Sequence, residues 1–142
     1  MSDEAPVVKP PNRIVAVWKG EQEFDVSRPG GPAVRIDGHG KTGTGPVDTM
    51  LGALAACSAI DVVSILKKQR TPVASLEVEV IGQRAVATPA PVTHALLRFT
   101  IAGEGIEREQ ALKAIALSVT KYCSVRDSLD PAIPMEWELE LK

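Results

Sequence analysis

An α+β fold follows from three features of the sequence. Short alternating segments crowd the first third of the chain and recur after residue 74. One long apolar segment, Gly45–Arg70, separates the two groups, and a second stretch with helical spacing comes late, at Glu107–Tyr122. The order is β-β-β-α-β-β-α-β, with strands and helices in runs, which predicts helices on one face of a largely antiparallel sheet. With 142 residues and neither internal repeats nor a linker, the chain reads as one domain, 1–142. Residues 1–12 carry three prolines and read as a loose arm.

The strands announce themselves by period-two alternation. Arg13–Lys19 sets Ile14, Ala16 and Trp18 against Val15 and Val17. After a turn at Gly20-Glu21, Gln22–Ser27 alternates around Phe24 and Val26. Pro29-Gly30-Gly31-Pro32 is a strong turn signal, and Ala33–Asp37 follows as a third strand. Later, Ala74–Arg84 points Leu76, Val78 and Val80 inward and Glu77 and Glu79 outward. Thr93–Ala102 is its partner across the turn at Thr88–Val92, and Met135–Leu141 is a last strand with Met135, Trp137, Leu139 and Leu141 inward.

The central helix starts near Pro46, whose fixed φ suits a first turn, with Asp48 favourably placed at the positive end of the dipole. Met50, Leu51, Ala53 to Cys57, Ala59 and Ile60 cover nearly every side, the mark of a buried helix. Beyond Ile60 a polar line through Ser58, Asp61 and Ser64 or Lys68 faces away from Val62, Val63, Ile65 and Leu66. Lys67, Lys68 and Arg70 suit the C-terminal end, and Pro72 blocks continuation. About 24 residues make a rod of ~36 Å, long for so small a domain. A second subunit is the economical cover, so a homodimer is expected. The second helix carries Ala111, Leu112, Ile115, Ala116 and Val119 at helical spacing, and Ser124–Leu129 reads as a further short turn closed by Pro131.

Composition excludes several functions. A net charge of -2 with dispersed Lys and Arg lacks the cationic footprint that a nucleic-acid partner requires. The N-terminal stretch has no basic segment followed by an apolar one, so a secretory signal is not expected. Met50–Leu66 is interrupted by Asp61 and is short of the ~20 residues a bilayer needs. A cytoplasmic protein without a membrane partner is expected, where two cysteines are more readily free or redox-active than a structural staple. No metal or other cofactor is expected, because His39 and His94 are the only histidines and no ligand pair has motif spacing. Gly38–Gly45 contains Gly-Lys-Thr, but Arg35 stands where a P-loop needs its first glycine, so it reads as a flexible entry to the helix. There is no Gly-x-Ser-x-Gly elbow, and Glu77, Glu79, Glu136, Glu138 and Glu140 lie on outward strand positions.

Cys57 and Cys123 remain. Cys57, in LAACSAI, is also what an ordinary buried helix position holds. Cys123 adjoins Lys121 and Arg126, and cations favour a thiolate; it also ends a helix, whose dipole disfavours one. From the residues alone both readings stand.

The segment PVDTMLGALAACSAIDVVSILKK, followed 66 residues after its cysteine by that of KYCSVRDSL, resembles the OsmC/Ohr family of thiol-dependent peroxidases, and within it the YhfA-like branch. The resemblance covers nearly the whole chain. It implies an intertwined homodimer with the two central helices buried together. It also implies that Cys57 attacks an organic hydroperoxide or hydrogen peroxide and becomes a sulfenic acid. Cys123 would then resolve it as a disulfide, and a small dithiol or dihydrolipoyl protein would reduce that. The peroxidase branches also carry an N-terminal arginine and a glutamate ten residues before the first cysteine. Here that position is Val47, with Asp48 as the nearest acid and Arg28 and Arg35 as candidate arginines. The substitution raises an alternative, a non-catalytic binding or stress-response protein of the same fold. A thioesterase reading has only Asp48 and Asp61 as helix acids.

Overall fold

The computed structural model describes residues 8–142; the first seven residues of the expected arm lie outside that range. The chain divides into two compact units, 1–49 and 50–142.

The first unit is a meander of β1 (Val15–Gly20), β2 (Glu23–Ser27) and β3 (Val34–Asp37), paired antiparallel in that order. The β1–β2 turn places Gly20 at φ 115° and Glu21 at φ 49°, which lets the ribbon reverse within two residues. Trp18 pairs with Phe24, and Asp25 with Arg35. The second turn closes through Gly31 N–H donating to the Arg28 carbonyl at 2.9 Å.

Helix α1 (Pro46–Lys68) starts at the expected proline. It ends where Arg70 turns to φ 63° and Thr71 N–H donates to the Leu66 carbonyl. The second unit continues with β4 (Ser75–Arg84), β5 (Val92–Ala102), α2 (Arg108–Leu117), a π-helical turn (Ser118–Tyr122), α3 (Ser124–Asp127) and β6 (Met135–Leu141). β4 pairs antiparallel with β5 along its whole length, and β6 lies parallel to β5 on the other side. Ala95, Leu97, Phe99 and Ile101 of β5 share one buried cluster with Leu54, Val62 and Leu66 of α1 and with Ala111, Ala114, Ile115 and Val119 beyond. Gly82 of β4 fits closely under Leu51, since a Cβ there would come within 2.8 Å of its Cδ1.

The α+β class and the order of the main elements are as the alternation predicts, with four differences. The strands form two three-stranded sheets instead of one. The last strand is parallel to its neighbour because α2, the π-turn and α3 carry the chain back to the far end of β5. The second helix relaxes to the wider turn after Leu117. Finally, α1 is buried along one stripe only: Leu54, Ser58, Val62 and Leu66, at steps of four. Ser58 therefore belongs to the buried line, not to the polar one. Ala53, Ala56, Ile60 and Val63 on other faces are exposed in the single chain, Ile60 at 65%. By length and composition α1 would pass for a membrane span, and its buried stripe belongs to the core cluster of the second unit.

Candidate functional site

The second unit places Cys57 and Cys123 near each other, both as free thiols. α1 supplies Cys57, one residue before buried Ser58, so its thiol sits at the edge of the stripe and is half-buried. The route to Cys123 is less regular. In the π-turn the Cys123 N–H donates to the Ser118 carbonyl five residues back, at 2.8 Å. The backbone at Cys123 is then extended, and its side chain caps α3, with Sγ accepting from the Arg126 N–H at 3.4 Å. Cys123 is 3% exposed.

Two buried serines complete the cluster. Ser58 Oγ donates to the Leu54 carbonyl at 2.9 Å and also lies 3.8 Å from Cys123 Sγ, within donating distance. Ser118 Oγ donates to the Ser58 carbonyl at 2.7 Å, joining the π-turn to α1 beside the thiols. Both serines are fully buried.

Burial pushes the Cys123 thiol above its ordinary value, and the neighbouring Cys57 thiol pushes it further; the Arg126 N–H and the Ser58 hydroxyl pull it part of the way back. The flanking cations do not have the effect their sequence positions imply. The Arg126 guanidinium donates to the carbonyls of Asp130, Pro131 and Ile133, and Lys121 Nζ lies 5.5 Å from the centre of the Tyr122 ring. Cys123 also caps the start of α3 while ending the longer helical run, so the helix-end argument does not apply in its simple form.

The remaining sequence candidates belong to the first unit. Arg35 Nε donates to Asp25 at 2.6 Å, and its Nη1 lies 3.5 Å from Glu23, a pairing set by the β2–β3 register. The hydrogen bond from Arg35 lowers the Asp25 carboxyl. Arg28 is exposed in the β2–β3 turn. Asp48 is exposed in the first turn of α1. Nine residues make two and a half turns, so Asp48 and Cys57 take opposite faces of an ideal helix.

The glycine-rich loop has its own internal ligand. Asp37, 2% exposed, accepts from the N–H groups of His39, Lys41 and Thr42 at 2.9–3.0 Å and from the Thr42 hydroxyl. Those amides are occupied and do not form a phosphate cradle. His94 lies on β5 and meets Glu136 at 3.3 Å. Among the described residues no group of three or more His, Cys, Asp or Glu is placed to hold a metal.

Nothing in the sequence pattern alone marks Ser58, Ser118 or the Arg126 N–H as part of the site. The adjacency of Ser58 to Cys57 is the nearest thing to a signal. A serine that bonds its own helix carbonyl at i−4 can be buried without a partner elsewhere, which removes the composition cue.

Residues 38–138 match the model of the OsmC-like protein family. Protein YhfA of Escherichia coli strain K12 is 36% identical over 112 residues, covering 78% of this chain and 84% of that protein. The chain belongs to the OsmC-like family. A hypothetical protein from Aquifex aeolicus VF5 superposes with a TM-score of 0.81 at 24% identity, over 94% of this chain and 99% of that one. The organic hydroperoxide resistance protein OhrB of Bacillus subtilis superposes with a TM-score of 0.61 at 16% identity, over 92% and 98%. Both share the fold.

Proposed function

We propose that the protein is a thiol-dependent peroxidase in which Cys57 meets the hydroperoxide and Cys123 resolves the product. The observation that carries this reading is the asymmetry of the pair: a half-buried thiol on α1 beside a buried thiol whose ionisation is disfavoured. The Cys57 thiolate attacks the peroxide O–O bond, which breaks to give Cys57 sulfenic acid and an alcohol, or water from hydrogen peroxide. Cys123 sulfur then displaces the sulfenic oxygen, forming the disulfide and releasing water. An external dithiol, a small molecule or a dihydrolipoyl protein, returns both thiols. Cytoplasmic residence suits a cycle that starts from reduced cysteines. The exposed apolar positions of α1, Ala53, Ala56, Ile60 and Val63, fit a second copy of the chain, and the working unit is a homodimer. Arg28 and Arg35 are the candidates for assisting the Cys57 thiolate; Val47 stands in place of the glutamate of the peroxidase branches, and Asp48, the nearest acid, takes the opposite helix face from Cys57.

Intact mass after one equivalent of organic hydroperoxide tests the reading. The wild type loses two hydrogens, and Cys123→Ala gains one oxygen and reacts with dimedone. Thiols that stay reduced for minutes sink it. The Arg35 pairing with Asp25 and Glu23, together with Val47, favours one rival, a binding protein without a redox cycle. A ligand that co-purifies and persists in Cys57→Ser is the result that rival expects.

A further inference from the structure

We infer that the Ser58 hydroxyl is a two-way partner of Cys123, accepting from its thiol and donating to its thiolate, and that Ser118 holds it in place. The inference rests on the proposed Cys57–Cys123 pairing and assigns the groups that let the buried partner react.

A serine hydroxyl has one proton and two lone pairs. Ser58 Oγ has two acceptors within reach, the Leu54 carbonyl at 2.9 Å and Cys123 Sγ at 3.8 Å. One proton serves one of them at a time. With the proton on Leu54, the oxygen lone pairs remain free to take the Cys123 S–H. Rotation about the Cβ–Oγ bond turns the proton to sulfur, while the Leu54 carbonyl keeps the helical N–H bond of residue 58. The same oxygen thus fits either protonation state.

The second donor to sulfur, the Arg126 N–H at 3.4 Å, is fixed by the backbone of α3. The thiolate therefore meets one fixed and one rotating donor. Solvent does not substitute for the rotating one, because Ser58 is fully buried and Cys123 nearly so. Ser118 acts at a distance. Its hydroxyl bonds the Ser58 carbonyl at 2.7 Å, and its own carbonyl receives the Cys123 N–H at 2.8 Å. It is tied to both halves of the contact, which makes it a positioning residue.

The chemistry gives the hydroxyl a purpose. As the disulfide forms, an electron pair on Cys123 sulfur makes the S–S bond, the S–O bond of Cys57 sulfenic acid breaks, and the departing hydroxide leaves as water with the Cys123 proton. Negative charge on Cys123 sulfur has to be stabilised in a pocket that burial makes unfavourable. The neighbouring Cys57 thiol disfavours that charge further. The Arg126 guanidinium is turned to carbonyls and Lys121 to Tyr122. The buried cluster that Cys123 joins is apolar, with Leu97, Phe99, Leu139 and Ile115 contributed by β5, β6 and α2.

The test uses dithiobis-nitrobenzoate on the reduced full chain, with no peroxide. Cys57 is capped first and releases one thionitrobenzoate; Cys123 then displaces the second, at a rate that follows its thiolate fraction. In Ser58→Ala the midpoint of the second release moves up by about one pH unit, a roughly tenfold slower step below the midpoint. Ser58→Thr restores the wild-type profile, and Ser118→Ala moves it in the same direction as Ser58→Ala. A Ser58→Ala profile that superimposes on the wild type overturns the inference, as does a wild type that releases only once. If Ser58→Ala does not fold, Ser118→Ala decides, and coincidence with the wild type overturns it. Inertness to hydroperoxide with the shifted profile intact removes the peroxidase reading and leaves this inference standing.

Discussion

Asp37 shows how much one carboxylate can organise. Its oxygens gather three loop amides and a hydroxyl and hold the carboxyl at a pKa of about 2, below the ordinary 3.8, chiefly through the Thr42 and His39 N–H groups. The folded state therefore favours the ionised form. The stability this contributes is complete above about pH 4 and is lost as pH falls toward 2. Thermal melts between those values should fall steeply for the wild type and less steeply for Asp37→Asn, which starts lower because an amide accepts through one oxygen only. Parallel slopes would remove Asp37 from the acid transition. At this scale the site was half legible. Two cysteines in a chain of 142 residues draw notice, and the family pattern pairs them. The serines did not, because buried hydroxyls leave no pattern when their partners are backbone carbonyls. Nor do the neighbours of a cation in sequence reveal where its charge points, as Arg126 demonstrates.

Helix α1 has two characters along one length. Its Leu54-Ser58-Val62-Leu66 stripe is sealed into the second unit, while Ile60 stands 65% exposed. Substitutions on the two sides should separate accordingly. Leu54→Ala should cost about 2–5 kcal/mol in denaturant unfolding, through lost burial and a cavity. Ile60→Glu should leave a folded chain but shift the species seen by analytical ultracentrifugation from dimer to monomer; a dimer that persists would place the subunit contact elsewhere. The elements themselves were largely readable, since alternation marks strands and Pro46, Arg70 and Pro72 frame the helix. The π-turn was not. Ser118–Tyr122 continues the composition of α2, and a wider turn changes hydrogen-bond partners without changing residue types. The division into two sheets was equally hidden, because alternation identifies a strand but not its neighbour.

For the molecule as a whole, the parallel pairing of β6 with β5 obliges the chain to make a long return, and Cys123 rides on that return while Cys57 rides on α1. A bond between them would close a loop of 66 residues holding β4, β5 and α2. By the chain-entropy model such a closure stabilises by up to about 4 kcal/mol. Oxidised protein should therefore melt higher than reduced protein, and the gap should vanish in Cys123→Ala; equal melting of the two forms would mean that the disulfide strains the fold as much as it constrains the unfolded chain. If the disulfide forms as proposed, the crossover would make resistance to unfolding and to proteases a readout of redox state. A cell that drains its reductant would accumulate the tougher form, and each reduction would return the chain to its softer, working one.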